Sequence, residues 1–267
     1  VAMAAWVPVP PTPVLVAPDG SLVEAPPPPS QVEETKADEL LAQSRSLRQQ
    51  NKSADAKSVE AKLIADWPGT IAAAHVLFEQ AERAYAAGDF SAVISRLEKL
   101  LFYRPDFSKI DKARKLYAHA LVKAERFADA AGMLGALYAH ATEPENMAEL
   151  GKIYIESLRE ISRLTEALRV CVDLKAIPTL SSADREVVEQ LAREIVAKRL
   201  GAEEAKSIWT TYGSDKRWTF IHPMVGYKLA KELYDSKDYD GSKAALAQGP
   251  GPEKEAYGGE GGGRGRA

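Results

Sequence analysis

A spacing of about 37 residues recurs along the chain, and it constrains the fold more than any other feature. A Gly-Asp-aromatic turn ends at Phe90, and comparable positions follow at intervals of 37 or 38 residues. These anchor residues are Phe90, Phe127, Leu164, Ala202 and Tyr239. A mostly small residue stands three places after each anchor: Val93, Ala130, Ala167, Ala205 and Ser242. A shared period of this length indicates repeated supersecondary units.

The offsets from the anchors identify the repeated unit as a helical hairpin. Bulky or apolar residues stand seven places after the anchors, at Leu97, Leu134, Cys171, Trp209 and Leu246. Ten places after them stand Leu100, Leu137, Leu174 and Tyr212. Offsets of three, seven and ten fall on one face of an α-helix. Two amphipathic helices cannot bury both apolar faces alone, so we predict that the copies stack. Five copies are clear, and Ala56, Leu63 and Pro68 indicate a degenerate sixth at the front.

This pattern resembles the tetratricopeptide repeat, whose hairpins have small residues in both helices and often end at a proline. The matching residues are Ala81, Gly88-Asp89-Phe90, Pro105, Ala118, Phe127, Ala130, Ala230, Leu233, Asp238-Tyr239 and Leu246. The period is longer than the family's usual length of about 34 residues, and the third and fourth copies lack the Gly-Asp turn. The resemblance implies an all-α fold, a right-handed α-solenoid of five to six hairpins over residues 31–248.

Both ends of the chain have a different composition. Residues 1–30 hold nine of the 16 prolines, which leaves neither a helix nor a central strand available. We expect an extended, disordered tail that serves either as a tethering spacer or as a simple chain end. Residues 249–267 are rich in glycine, and we expect a disordered tail after an incomplete last repeat. The chain is expected to be a fragment of a protein that continues, or to carry a tail foreign to the fold.

The composition, net charge and cysteine count of the chain narrow the possible functions. A hydrophobic fraction of 45% and a charged fraction of 27% are those of an ordinary soluble protein. The net charge of −3 argues against a nucleic-acid partner, which usually meets a strongly basic domain. A single cysteine excludes an internal disulfide framework. No apolar run approaches the roughly 20 residues of a membrane-spanning helix.

Few residues of the sequence form a pattern that indicates catalysis or metal binding. Its histidines stand at positions 75, 119, 140 and 222, without the spacing of metal ligands. Cys171 lies in an apolar stripe, which predicts a buried and inert thiol. The acidic pairs Glu33-Glu34 and Glu203-Glu204 are predicted to be solvated, and the aromatic residues around Trp218 are predicted to pack the fourth hairpin. We therefore expect no catalytic residue, no cofactor and no metal site.

The remaining candidate for a functional site is a partner-binding surface on the first helices of the hairpins. In tetratricopeptide arrays the first helix of each hairpin lines a concave groove, and the resemblance implies a partner-binding set there: His75, Tyr85, Lys112, Lys115, His119, Lys123, Lys152, Arg159, Tyr227, Lys231 and Tyr234. The lysines favour an extended or acidic peptide. The alternative interpretation is that these residues form solvated helix faces. The clamp for the acidic tails of chaperones is not expected, because Leu116, Glu149 and Ile153 depart from its pattern.

Two stretches of the chain resemble a more specific group of proteins, and this resemblance concerns function. Residues 67–70 (WPGT) and 222–246 (HPMVGYKLAKELYDSKDYDGSKAAL) resemble the repeat segments of bacterial cell-envelope proteins. These include penicillin-binding-protein activators, cell-division coordinators and outer-membrane assembly lipoproteins. The resemblance implies a non-catalytic scaffold in the periplasm or cell envelope, which binds a protein or peptide during peptidoglycan synthase activation or outer-membrane assembly. The alternatives are the helical accessory domain of an envelope enzyme whose catalytic domain is missing, and a cytoplasmic adaptor.

Overall fold

The computed structural model describes residues 28–248, together with two short strands before them. The strands are β1 (Val14–Val16) and β2 (Leu22–Glu24). Twelve α-helices follow in the described residues: α1 Gln31–Gln49, α2 Ser53–Asp66, α3 Ile71–Ala86, α4 Phe90–Tyr103, α5 Ile110–Lys123, α6 Phe127–His140, α7 Pro144–Glu160, α8 Leu164–Lys175, α9 Ser182–Lys198, α10 Ala202–Tyr212, α11 His222–Asp235 and α12 Tyr239–Gln248. A 3₁₀ helix spans Lys216–Trp218. The predicted Gly-rich tail, residues 249–267, lies outside the described residues.

The two strands were not predicted. They pair antiparallel, with Val14 opposite Glu24 and Val16 opposite Leu22. Neither strand contains a proline, so each residue keeps the backbone N–H that a ladder needs. The pairing is two-stranded, so it contains no central strand. The remaining residues of the predicted Pro-rich tail before residue 28 lie outside the described part of the chain.

The predicted anchors are the first residues of the second helices. Helices α4, α6, α8, α10 and α12 begin at Phe90, Phe127, Leu164, Ala202 and Tyr239. Helix α2 begins at Ser53, which is 37 residues before Phe90. The period read from the sequence therefore marks the point at which the chain enters each second helix.

A residue with positive φ stands two places before most of these helices. The residues are Asn51 (φ 60°), Gly88 (75°), Glu125 (58°), Ser162 (60°) and Lys237 (69°). A single left-handed residue ends one helix and reverses the chain direction. The fourth connection differs, since Arg199 has φ −120° and Gly201 has φ −82°. We call the left-handed residue that reverses the chain before a second helix the elbow. The third copy has an elbow without a Gly-Asp turn, whereas the fourth copy has no elbow.

The described helices form two compact units, one ending at Arg126 and the other beginning at Phe127. In the first unit, each of helices α1 to α4 packs against the next one in the chain. Helix α1 also contacts α3, and α3 contacts α5, so these three helices form one layer. This alternation is compatible with an α-solenoid.

The second unit contains α6 to α12 and repeats the arrangement. Helix α7 packs against α6 and α8, and α11 packs against α10 and α12. Helix α9 contacts both α7 and α11, so that α7, α9 and α11 again form a layer of first helices. The prediction of an all-α fold is confirmed in both units.

Small buried residues allow the helices to approach closely. The residues three places after the helix starts are fully buried at Ala56, Val93, Ala130, Ala167 and Ala205, and nearly so at Ser242. Because the interior is close-packed, a larger side chain at these positions would force the helices apart. None of the described helices combines the length and the hydropathy that a bilayer crossing requires.

The elbow can be tested with two glycines that face open space. A Cβ added at Gly88 or at Gly132 would meet no heavy atom within 4 Å, but only Gly88 has positive φ. Gly88→Ala should lower the free energy of unfolding by about 1 kcal/mol because alanine is strained in the left-handed region. Gly132→Ala, inside α6, should raise it by up to about 1 kcal/mol through helix propensity. Urea denaturation measures both; a destabilisation by Gly132→Ala equal to that by Gly88→Ala would contradict the elbow.

Candidate binding surfaces

Helix α5 carries four of the predicted groove residues on one side. Lys112 and Lys123 are exposed, while Lys115 and His119 are half-buried. Intervals of three, four and four residues place them on one face of the helix. We call Lys112, Lys115, His119 and Lys123 the basic stripe. The opposite side of α5 is apolar and buried, at Ala113, Ala118, Ala120 and Leu121.

His75 and Tyr85, on α3, are half-buried and help to pack the first unit. The His75 ring meets Phe107 edge-on, with centroids 5.0 Å apart, and Tyr85 meets Phe90 in the same way at 5.5 Å. Burial lowers the pKa of His75, and the positive charge of Arg45 lowers it further. His75 is therefore neutral at neutral pH.

Lys152 and Arg159 connect α7 to α9. The Lys152 Nζ lies 2.7 Å from the Asp184 carboxylate, and its hydrogen bond lowers the pKa of Asp184. Arg159 lies 3.1 Å from the Glu160 carboxylate and 3.7 Å from that of Glu194. Both cations already have carboxylate partners within the second unit, so binding an acidic ligand there would compete with these ion pairs.

Helix α11 presents the remaining predicted residues. Tyr227 is 56% exposed and Tyr234 is 61% exposed, and the exposed Lys231 lies between them on the same side. We call Tyr227, Lys231 and Tyr234 the tyrosine face. The Tyr234 ring contacts Tyr239 edge-on, with centroids 5.3 Å apart. Within residues 28–248, seven large hydrophobic side chains are exposed, and four of them belong to α11 and α12.

A buried carboxylate in the first unit was not predicted. Glu60, on α2, is only 1% exposed, although it stands at the offset where α4 has Leu97. Arg48 donates two hydrogen bonds to Glu60, of 2.7 and 2.9 Å, and Gln80 donates one of 2.9 Å. Arg83 donates another of 3.2 Å. The carboxylate therefore ties α1, α2 and α3 together.

These partners keep Glu60 ionised. Burial by itself raises the pKa of Glu60, but the hydrogen bonds from Arg48 and Gln80 and the charge of Arg83 outweigh it, and the pKa is lowered. Gln80 in turn accepts a hydrogen bond of 3.0 Å from Arg96. The offset of seven residues from Ser53 marks this position in the sequence, but an apolar pattern gives no sign of the arginines.

The prediction that Glu33 and Glu34 are solvated is wrong for Glu34 and incomplete for Glu33. Glu34 accepts hydrogen bonds from the Ile71 backbone N–H (3.1 Å) and from Arg104 (3.4 Å), which links α1 to the next hairpin. Glu33 accepts a hydrogen bond of 2.7 Å from the Ser30 backbone N–H and forms a capping box at the start of α1. Both carboxylates stabilise helix ends.

Other predicted residues lie where the sequence placed them. Cys171 is completely buried, and burial raises its pKa, so the thiol stays protonated. Trp218 stacks on Tyr212 with centroids 4.2 Å apart, which confirms the aromatic packing predicted there. The His222 ring nitrogen lies 2.9 Å from the Tyr212 carbonyl oxygen. In the described part of the chain, no group of three His, Cys, Asp or Glu side chains is arranged to hold a metal ion.

An open depression of about 400 Å³ in the second unit is lined by Lys175, Ala176, Lys216, Arg217, Thr219 and Phe220. The Lys175 Nζ lies 4.3 Å from the Phe220 ring centroid and also pairs with Glu189. Arg217 is 2.7 Å from the Asp215 carboxylate. These carboxylates offset the positive charge, so the depression has no strong preference for an anion.

The chain was also compared with known proteins. No protein-family model matches it, and no curated protein shows significant similarity to it. Among the described residues, the two exposed lysines of the basic stripe and the tyrosine face are the candidate binding surfaces of the two units.

The buried carboxylate predicts a pH dependence. The pKa of Glu60 is lower in the folded than in the unfolded chain, so its contribution is complete above the unfolded pKa and is lost as pH falls through the folded pKa. Glu60→Gln should lower the free energy of unfolding by about 1–3 kcal/mol at pH 7, because it removes the carboxylate partner of Arg48 and leaves Arg83 only its longer pair with Glu79, at 3.9 Å. The loss should shrink below about pH 4.

Urea denaturation between pH 3 and pH 7 measures this difference. Glu203→Gln, which removes an exposed carboxylate from α10, is the matched control and should change stability little. A Glu60→Gln penalty that stays the same at pH 3 and pH 7 would contradict an ionised Glu60.

Proposed function

We propose that the chain is a non-catalytic scaffold that binds a protein partner through exposed faces of its first helices. The tyrosine face is the observation that carries this proposal. Single exposed apolar residues are common, but a cluster of them marks an interaction surface. Tyrosine is enriched at protein interfaces, because it combines a large apolar ring with a polar tip. Tyr227 and Tyr234, exposed on one side of a packed helix, fit that description.

The charge of Lys231 points to an acidic partner segment, because this lysine lies between the two tyrosines on α11. A segment with carboxylates would pair with Lys231, while its apolar side chains contact the rings. The basic stripe of the first unit, with Lys112 and Lys123 exposed on α5, is a separate candidate surface for an acidic ligand. Lys152 and Arg159 are weaker candidates, since both already pair with carboxylates of the chain.

A binding role also fits the state of the titratable groups. Groups with strongly shifted pKa values are candidates for catalysis when they gather in a cleft. Two buried groups of the described residues have structural roles: Glu60 holds three helices together, and Cys171 lies in an apolar interior. A non-catalytic scaffold accounts for both of them without a reaction.

We place this scaffold in the bacterial cell envelope, in peptidoglycan synthase activation or outer-membrane assembly. The basis is the resemblance of residues 67–70 and 222–246 to the repeat segments of such proteins. Fractionation of source cells tests the compartment: recovery with the periplasm or envelope is expected, and recovery only with the cytoplasm would contradict it.

Removal of both rings should abolish partner binding. With the immobilised chain and an extract of the source cells, Tyr227→Ser combined with Tyr234→Ser should reduce capture of the partner at least tenfold. Each ring at the centre of an interface contributes on the order of 1–2 kcal/mol or more to binding. Mass spectrometry of the captured proteins measures the loss, and circular dichroism verifies folding.

Val187→Ser removes an exposed apolar side chain from α9 and is the matched control. In the same assay, Lys231→Glu should weaken capture of the same protein and reduce its sensitivity to salt. If the tyrosine variant captures the same proteins as the unchanged chain and as the control, the tyrosine face is not the interface.

A further inference from the structure

The connection between α10 and α11 is the longest one between α-helices of the described residues. It runs over residues 213–221, whereas the other connections have three to six residues. It contains the 3₁₀ helix Lys216–Trp218, and the buried Trp218 ring stacks on Tyr212 and fixes this helix to the second unit. Connections that a rigid scaffold holds in place often carry binding residues.

The depression beside this connection is lined by apolar surface and by cations. Phe220 and Ala176 contribute apolar atoms, and Lys175, Lys216 and Arg217 contribute aliphatic stems that end in positive groups. No acidic side chain of the described residues lines it. Its volume of about 400 Å³ lies near the lower end of the range of roughly 300–1,000 Å³ that is typical of ligand sites. The depression therefore has room for one ring-sized group.

The paired cations of this lining favour an aromatic ring over an anion. Lys175 pairs with Glu189. Arg217 lies 2.7 Å from the Asp215 carboxylate. An incoming carboxylate would compete with these two carboxylates, whereas a paired cation still attracts the negative face of an aromatic ring. The depression already contains one such contact, since the Lys175 Nζ lies 4.3 Å from the centroid of the Phe220 ring.

Helix α9 fixes the α8 side of the depression. The Arg185 guanidinium donates hydrogen bonds of 2.7–3.2 Å to four backbone carbonyl oxygens, those of Lys175, Ile177, Pro178 and Leu180. These carbonyl groups lie at and after the C-terminal end of α8, where the helix itself offers no N–H partner. Arg185 therefore holds residues 175–180 in one conformation. A site that is already formed loses less conformational entropy when a ligand binds.

We propose that this depression binds an aromatic side chain of a partner protein, in contact with the Phe220 ring and with the exposed cations Lys216 and Arg217. An aliphatic side chain could fill the same space, but it has no π face for the two cations. The proposal rests on the proposed binding function and adds an aromatic residue to the segment that the chain recognises. It concerns a different surface from the tyrosine face.

The neutral compound N-acetyl-L-tryptophan amide serves as the probe, because it presents an aromatic side chain within a peptide-like backbone. Titration into the full 267-residue chain, followed by backbone amide NMR, should shift the signals of residues 175–176 and 216–220 with saturation. The aliphatic compound N-acetyl-L-leucine amide should bind at least about fivefold more weakly, because it lacks the cation–π contacts.

Two variants test the lining residues. Lys216→Gln combined with Arg217→Gln should weaken binding of the tryptophan probe at least about fivefold through the lost cation–π contacts. Phe220→Leu keeps an apolar side chain but removes the ring, and it should weaken binding as well. Lys206→Gln removes an exposed cation from α10 and is the matched control, which should leave binding unchanged. The amide spectra verify that each variant is folded.

The paired Tyr227→Ser and Tyr234→Ser variant should keep probe binding, so failure of the tyrosine face and failure of the depression can be told apart. Absence of saturable shifts, equal binding of the leucine probe, or unchanged affinity of the variant without the two cations would overturn the proposal. Tighter binding of acetate than of the tryptophan probe would overturn it too, because the site would then recognise an anion. So would binding of free indole without binding of the probe, because the ligand would then not be a residue of a protein.

Discussion

The left-handed residue before each second helix is the constraint on which the structure depends. One residue with positive φ reverses the chain between two helices, so the next residues can pack antiparallel to the previous ones. Because this elbow recurs at Asn51, Gly88, Glu125, Ser162 and Lys237, the interval between elbows sets the register of the helices. Four of these residues are not glycine, and packing of the helices that each one connects offsets its backbone strain.

The register then decides which residues are buried and which are exposed. Small side chains three places after the starts of the second helices lie in the interior, and the residues seven places after the starts of α2, α4, α6 and α8 are buried as well. Glu60 keeps that role as a carboxylate because arginines from two neighbouring helices reach it. On α11 the register also leaves Tyr227 and Tyr234 exposed on one side, and this side is the surface that we propose for binding.

The sequence predicted those features that depend on residues close together in the chain. Each anchor starts a helix, and Cys171 is buried. The features it did not predict join residues far apart. Glu34 contacts Ile71 and Arg104, which are 37 and 70 residues away, and no local pattern reveals such a pair. The same reason applies to Glu60 and to the α7–α9 ion pairs. Tyr227 and Tyr234 were identified through the resemblance to the tetratricopeptide repeat, and both are exposed.

Backbone NMR couplings at the elbows measure the repeated chain reversal directly. The three-bond coupling between the amide and α protons, combined with carbon chemical shifts, distinguishes positive from negative φ at Asn51, Glu125, Ser162 and Lys237. We predict positive φ at all four, with values near 60–70°, and negative φ at Arg199 in the fourth connection. Negative φ at Glu125 and Ser162 would contradict this prediction, because the chain would then lack the repeated reversal that places its helices.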